Sequence, residues 1–318
     1  MKSIKTKGKT FFVILLAFML VFAIGCTKEK VNEKDIVAKV GDEIISKDAY
    51  NKKLSFIKKT VESQYGDKIW SMDMGGKTYL EAVQEKVLDQ MIDEQAIMQY
   101  MENEKVKVDN QEVEKQYKAY MEGIKGQEEA EKFLKELKEL GLDESFWKNQ
   151  MKTDLYVSKF QEKIIKELDL TDEKLKENYE KNKEQYTKDQ TKASHILVKT
   201  EEEAKDIMKK IKAGEDFAEL AKKYSKDPGS AVRGGNLGVF PKGMMFPEFE
   251  KAAFALKDGE ISDIVKTSVG YHIIKGDTIK FEDVKGQIER SLIEPAIMDK
   301  IGEVKASLKI EKKLENIK

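Results

Sequence analysis

The two histidines of this 318-residue chain constrain its fold most, because each belongs to a short aliphatic run. His195 begins a His-Ile-Leu-Val run, and His272 lies within Gly-Tyr-His-Ile-Ile. Short β-branched runs of this kind predict two strands. Two charged helical segments, residues 201–212 and 217–224, and a glycine-rich passage at 229–238 lie between them. The order predicts a compact α+β unit in which the two histidines share one site.

Six sequence blocks follow one another in this stretch. They are His-Ile-Leu-Val at 195–198, Gly-Glu-Asp-Phe-Ala-Glu-Leu-Ala at 214–221, Tyr-Ser-Lys-Asp at 224–227, Gly-Gly-Asn-Leu-Gly at 234–238, Phe-Glu-Lys-Ala-Ala-Phe-Ala-Leu at 249–256 and Gly-Tyr-His-Ile-Ile at 270–274. In this order and spacing the blocks resemble a parvulin-type peptidyl-prolyl isomerase domain. The resemblance implies such a domain over residues 189–280, with no cofactor.

The resemblance also implies a set of site residues. Those implied for catalysis are His195, Asp227 and His272, and those implied for substrate binding are Leu237, Met245, Phe249 and Thr267. Asp227 has a second interpretation, as a turn residue before Pro228. Met245 and Phe249 could equally serve ordinary core packing.

The histidine pair could also be purely structural. In that interpretation, two core imidazoles form hydrogen bonds with each other and with a hydroxyl, and they take no part in catalysis. A metal site is less favoured, because no cysteine or further histidine is near to complete a tetrahedral set. We therefore predict no metal. Isomerisation makes and breaks no bond, so the histidines are expected to orient Asp227 and Thr267 rather than to transfer protons.

The first 25 residues are predicted to be an export signal. Four lysines precede an uncharged apolar run at 11–24, which is too short to span a bilayer comfortably. Gly25 precedes Cys26, the only cysteine, and this junction resembles the lipobox of bacterial lipoproteins. The resemblance implies lipidation of Cys26, followed by a polar tether at 26–35. The alternative is an ordinary secretory signal followed by an incidental cysteine.

The region before the isomerase stretch is predicted to be helical, since no proline occurs before Pro228. It opens with a small hairpin pattern around Gly41, after which Ser46 could cap a helix. This region, residues 36–188, resembles the chaperone domain of the SurA and PrsA foldases. Residues 281–318 resume helical spacing and, by the same resemblance, pack back on that domain. The predicted fold class is α+β, with a parvulin-type small α/β domain inserted in a mainly helical chaperone domain.

The charge composition argues against nucleic acid as a partner. Lys and Arg total 58 and Asp and Glu total 59, so no net field attracts nucleic acid. Charged residues make up 37% of the chain, which would also suit disorder, but 40% apolar residues with helical periodicity can bury a core.

Together the three resemblances imply a foldase, lipid-anchored on the extracytoplasmic face of the cell membrane, that isomerises X-Pro bonds. Its expected partners are unfolded or newly exported proteins and the membrane itself. The resemblance further implies dimerisation through the helical domain, and the sequence does not decide between a monomer and a homodimer. The alternative function is a holdase-type chaperone whose parvulin domain is inactive or only binds peptide.

Overall fold

The computed structural model describes residues 32–317. The expected signal peptide, the lipidation site Cys26 and most of the expected tether lie outside the described residues. The chain divides into two compact units. One unit contains the described residues 32–167 and 296–317, and the other contains residues 168–295.

Helices account for most of the regular structure. In chain order they are α1 Lys47–Tyr65, α2 Tyr79–Asn103, α3 Asn110–Ile124, α4 Glu128–Glu139, α5 Glu144–Leu168, α6 Asp172–Lys181, α7 Glu201–Lys212, α8 Phe217–Tyr224, α9 Pro228–Ala231, α10 Pro247–Ala255 and α11 Phe281–Ala306. The strands are β1 Ile36–Val40, β2 Glu43–Ser46, β3 Gln190–Val198, β4 Asn236–Pro241, β5 Val265–Thr267, β6 Gly270–Asp277 and β7 Ile310–Lys312.

The discontinuous unit combines α1–α5 with a small antiparallel sheet in the order β2-β1-β7. Strands β1 and β2 form the predicted hairpin, and the Ser46 side chain caps α1 by accepting a hydrogen bond from the Ala49 amide at 3.1 Å. The C-terminal segment supplies β7 to this sheet and Val304 to the core beneath it. Two distant parts of the sequence therefore complete one core.

A buried ion pair lies within the same unit. Lys53 of α1 and Glu94 of α2 are 2.7 Å apart (Nζ to Oε1), and both side chains are almost fully shielded from solvent. A charge in such surroundings is stable only when it is paired and hydrogen-bonded. Because the two residues lie on different helices, the pair connects α1 and α2 inside the core.

The second unit is built on a four-stranded antiparallel sheet in the order β4-β3-β6-β5. Alternate residues of β3 and β6 point to opposite faces of this sheet. Ile196 and Ile273 pack on one face with α7 and α8, whereas Ala193 and Ile274 pack on the other with Phe249 of α10. Both central strands are therefore covered on both sides. A mainly helical unit interrupted by a small α/β unit confirms the predicted fold class.

Candidate active site

The two histidines meet because of the register between the central strands. His195 is paired with Ile274, and Leu197 with His272, so the two imidazoles are diagonal neighbours on one face of the sheet. Diagonal neighbours on adjacent strands lie within reach of ring side chains. The Nδ1 atoms of the two rings are 3.1 Å apart, and the rings are nearly parallel, with an interplanar angle of 21°. Both residues are buried.

Each imidazole has a second polar partner at its outer nitrogen. Thr267 Oγ1 lies 2.9 Å from His272 Nε2, and Asp227 Oδ2 lies 3.0 Å from His195 Nε2. One continuous chain of hydrogen bonds therefore connects β5, β6, β3 and the start of α9. It contains all four polar residues that the sequence analysis assigned to the site.

The direction of these hydrogen bonds follows from the two ends of the chain. An ionised carboxylate can only accept, so His195 donates from Nε2 to Asp227. In the neutral form of His195, the bare Nδ1 accepts from His272 Nδ1–H, and His272 Nε2 then accepts from the Thr267 hydroxyl. The Val269 amide in turn donates to Thr267 Oγ1 at 3.3 Å. Every ring nitrogen of the pair therefore has a hydrogen-bond partner.

The charge state of the site agrees with this assignment. Burial is the main cause that lowers the pKa of His272 from its ordinary value of 6.5 to about 4, and the neighbouring His195 lowers it further. The pKa of Asp227 falls from 3.8 to about 2, chiefly because the Ser230 hydroxyl donates to its carboxylate. Near neutral pH, the site therefore contains an ionised Asp227 and a neutral His272.

Asp227 lies both in the turn before Pro228 and beside His195. It is the N-cap of α9, where its Oδ1 accepts from the Gly229 amide at 3.1 Å, and its Oδ2 faces His195. The turn before Pro228 thus serves to present the carboxylate. About a quarter of the Asp227 side chain is exposed, so one side of the carboxylate faces solvent.

Apolar residues border the imidazole pair. Phe249 lies edge-on to both rings, with centroids 5.6 Å from His195 and 5.2 Å from His272. It is only 3% exposed, so it supports the two rings from within the core. Leu237 and Met245 are partly buried and pack against the same cluster. The three apolar side chains implied for substrate binding therefore lie in one cluster, with Leu237 and Met245 at its accessible edge.

Gly235 allows the backbone before β4 to approach His195. The His195 amide donates to the Gly235 carbonyl at 2.8 Å. Gly235 has φ +82°, and a Cβ atom there would lie 2.3 Å from the His195 carbonyl oxygen. Only glycine fits such a position, which explains the Gly-Gly sequence in this block.

Ser230 is a site residue that the sequence analysis missed. Its hydroxyl donates to Asp227 Oδ2 at 2.5 Å and lies 3.1 Å from His195 Nε2. The sequence places Ser230 in an ordinary Pro-Gly-Ser-Ala turn, and no pattern there indicates a buried hydroxyl. Its spacing of three residues from Asp227 was the one available signal, since an N-cap and its third following residue lie close together.

Two further observations concern metal ligands and membrane-spanning helices in the described region. Residues 32–317 contain no group of three or more histidine, cysteine, aspartate or glutamate side chains placed to hold a metal ion. Within the same range, every helix is too short or too polar to cross a membrane.

Two known family models match this chain, each over a different part of it. Residues 176–278 match the family model for a PPIC-type peptidyl-prolyl isomerase domain. Residues 1–161 match that for a SurA-like N-terminal domain. The chain therefore carries an isomerase domain of the parvulin type, as predicted from the six sequence blocks.

Similar proteins extend over nearly the whole chain. The foldase protein PrsA of Caldanaerobacter subterraneus subsp. tengcongensis is 37% identical over 322 residues, covering 98% of each chain. The foldase protein PrsA of Clostridium tetani is 34% identical over 339 residues, again covering 98% of each. Among solved structures, the peptidylprolyl isomerase PrsA of Bacillus anthracis is 36% identical, covers 69% of this chain and 94% of its own, and has a TM-score of 0.29.

Proposed function

Since this chain belongs to the PrsA family of foldases, we propose that it is a membrane-anchored foldase that isomerises X-Pro bonds in proteins exported across the cytoplasmic membrane. The observation that carries this proposal is the hydrogen-bonded chain from Thr267 through His272 and His195 to Asp227. It ends in an ionised, partly exposed carboxylate in the same domain as a small apolar cluster with an accessible edge.

The reaction sets physical requirements for such a site. Rotation about an X-Pro bond meets a barrier of about 18 to 20 kcal/mol, because the planar amide is stabilised by resonance. That resonance places negative charge on the carbonyl oxygen and positive charge on the nitrogen. A catalyst must favour the twisted amide, in which both charges are reduced, over the planar one.

The proposed role of Asp227 follows from these requirements. A carboxylate beside the carbonyl oxygen of the bound X-Pro bond raises the energy of the planar, charge-separated amide more than that of the twisted amide. Leu237 and Met245 hold the proline ring, and the imidazole pair keeps the carboxylate in position. No proton needs to move, which agrees with the hydrogen bonds that occupy both nitrogens of each histidine.

The proposal is tested by the refolding of a client whose rate is limited by a cis proline. The native protein is expected to accelerate the slow phase, and Asp227→Ala is expected to suppress that acceleration while still reducing client aggregation. Equal acceleration by both proteins would contradict the proposed site. If neither protein accelerates the slow phase but both reduce aggregation, the chain acts as a holdase instead.

Anchoring is proposed from the N-terminal sequence. Gly25 and Cys26 end an apolar signal, and an exported protein with one cysteine needs a reason for it. Two or more acyl chains on Cys26 would hold the protein stably at the membrane, whereas one chain binds only marginally. Cys26→Ala is expected to be unprocessed or released from the membrane. Normal processing and retention of this variant after a high-salt wash would contradict the lipid anchor.

A further inference from the structure

Ser230 closes a triangle of hydrogen bonds with the two residues at the end of the histidine chain. Its hydroxyl donates to Asp227 Oδ2, and its oxygen lies within reach of the His195 Nε2–H, which also points at Asp227. Ser230 is 1% exposed, whereas the Asp227 side chain is 26% exposed. Water can reach part of the carboxylate but cannot replace the serine hydroxyl.

Three groups donate hydrogen bonds to the two oxygens of the Asp227 carboxylate. Oδ1 accepts from the Gly229 amide, and Oδ2 accepts from Ser230 and His195. The Gly229 amide is part of the turn and needs no side chain. His195 is fixed from the sheet, and Ser230 from α9. Ser230 is therefore the only side chain on the same turn as Asp227 that holds the carboxylate against the imidazole.

We infer that Ser230 is a positioning residue for isomerisation: it holds the Asp227 carboxylate, ionised and in a fixed orientation, against His195. The inference rests on the proposed role of Asp227. Ser230 does not touch the substrate, and its effect reaches the X-Pro bond only through Asp227. Removal of its hydroxyl should lower kcat and leave KM unchanged, because substrate binding depends on the apolar cluster.

Among residues 32–317, no titratable side chain other than His195 forms an ion pair or hydrogen bond with the Asp227 carboxylate. The titratable groups that face Asp227 within the domain are His195 on β3 and, beyond it, His272 on β6. Lys226 is exposed, and its charge acts on Glu203 at the start of α7. The charged residues of the adjoining α8 and of the turn before β4 are exposed as well; they are Glu219, Lys222, Lys223 and Arg233.

A double-mutant cycle on the full-length protein tests this inference. The variants are Ser230→Ala, Asp227→Ala and the two combined, assayed with an Ala-Pro peptide. Ser230→Ala is expected to lower kcat about tenfold, the effect of losing one hydrogen bond to a charged group. In the Asp227→Ala background, the same substitution should change kcat by less than about twofold, since its target is gone. Equal losses in both backgrounds would overturn the inference.

Two control variants separate positioning from folding. Ser262 is a buried serine of the same domain whose hydroxyl bonds the backbone of Asp263 and Ile274. Ser262→Ala should affect stability without lowering kcat. Ser230→Thr keeps the hydroxyl and should recover most of the activity that Ser230→Ala loses. A Ser230→Thr variant that is folded yet as slow as Ser230→Ala would contradict the positioning role.

One measurement needs no substitution of Ser230. In proton NMR spectra of the native protein, the Ser230 hydroxyl should exchange slowly with water, and Asp227→Ala should accelerate that exchange. Exchange as fast as that of a free hydroxyl in the native protein would overturn the inference even if Ser230→Ala does not fold. A fully active Asp227→Ala variant would contradict the proposed role of Asp227 itself. An inactive Asp227→Ala variant with a parental Ser230→Ala variant would contradict only the positioning role of Ser230.

Discussion

The imidazoles of His195 and His272 face each other through their Nδ1 atoms at 3.1 Å, with their outer nitrogens bonded to Asp227 and Thr267 respectively. A ring with both nitrogens occupied has no lone pair or proton available to a substrate. We therefore expect the pair to orient its neighbours. The interpretation of the histidines as satisfied core residues and their assignment to the site describe the same structure.

His272→Asn should lower stability more than activity. An asparagine side chain is too short to reach both His195 and Thr267, so at least one buried partner loses its hydrogen bond, at a cost of about 1 to 3 kcal/mol. We expect reduced but measurable isomerisation of an Ala-Pro peptide. A fully inactive variant as stable as the parent would instead give His272 a direct catalytic role.

Stability of the isomerase domain must be measured with a probe from that domain. Both tryptophans, Trp70 and Trp147, belong to the other unit, so their fluorescence does not report on the domain that contains His272. Amide hydrogen exchange of the buried residues Ile196 and Ile273 on the central strands is a suitable probe.

The sequence indicated most of the residues that meet in this site, but not how they are arranged. Strand alternation and the two histidine runs indicated that His195 and His272 would be neighbours, and the structure shows why: they are diagonal in the β3–β6 register. The resemblance supplied Asp227 and Thr267. It did not indicate Ser230, because the burial of that hydroxyl depends on how the turn of α9 folds back on Asp227 and His195. The burial of Phe249 likewise depends on packing across the sheet, which the sequence does not specify.

Acid should destabilise the isomerase domain in a defined range. As the pH falls below 6.5, the unfolded chain binds a proton at His272, whereas the folded chain binds one only near pH 4. The unfolded state therefore holds more protons in this window, and the free energy of unfolding decreases by about 3 kcal/mol as the pH falls from 6.5 to 4. Hydrogen exchange measured across this range should show the loss.

The His272→Asn variant is the control for this pH dependence. It lacks the titrating imidazole, so its stability should change much less between pH 6.5 and pH 4. Asp227 affects stability at lower pH, because folding lowers its pKa from 3.8 to about 2. Its contribution to the free energy of unfolding is therefore lost only as the pH falls through that range. An equally steep loss of stability in His272→Asn would assign the dependence to other groups.

Phe249→Ala should affect both stability and activity. The side chain is buried and supports both imidazoles edge-on, so its truncation is expected to cost about 3 to 5 kcal/mol and to loosen the histidine pair. Phe254→Ala is the control, since Phe254 is on the same helix but lies edge-on to Phe240 and not to the imidazoles. Full activity of a well-folded Phe249→Ala variant would reject its assignment to the site.

The buried ion pair of the helical unit gives an independent prediction. Glu94→Gln would leave the charge of Lys53 without its carboxylate partner in a site closed to water, which is expected to cost about 3 to 5 kcal/mol. The double variant Lys53→Met/Glu94→Gln should be more stable than Glu94→Gln alone, because no buried charge remains. Urea unfolding followed by the fluorescence of Trp70 and Trp147 measures both. Equal stability of Glu94→Gln and the parent would show that the pair contributes little.

The central claim is that Asp227 acts on the substrate while the histidine pair only positions it. The most direct test is the isomerisation of an Ala-Pro peptide by Asp227→Ala, with the stability of the isomerase domain measured by exchange of the Ile196 and Ile273 amides. We predict a loss of kcat of more than about tenfold with exchange close to that of the parent, since the side chain is partly exposed and its partners can bind water instead. Parental kcat in a folded Asp227→Ala variant would contradict the account.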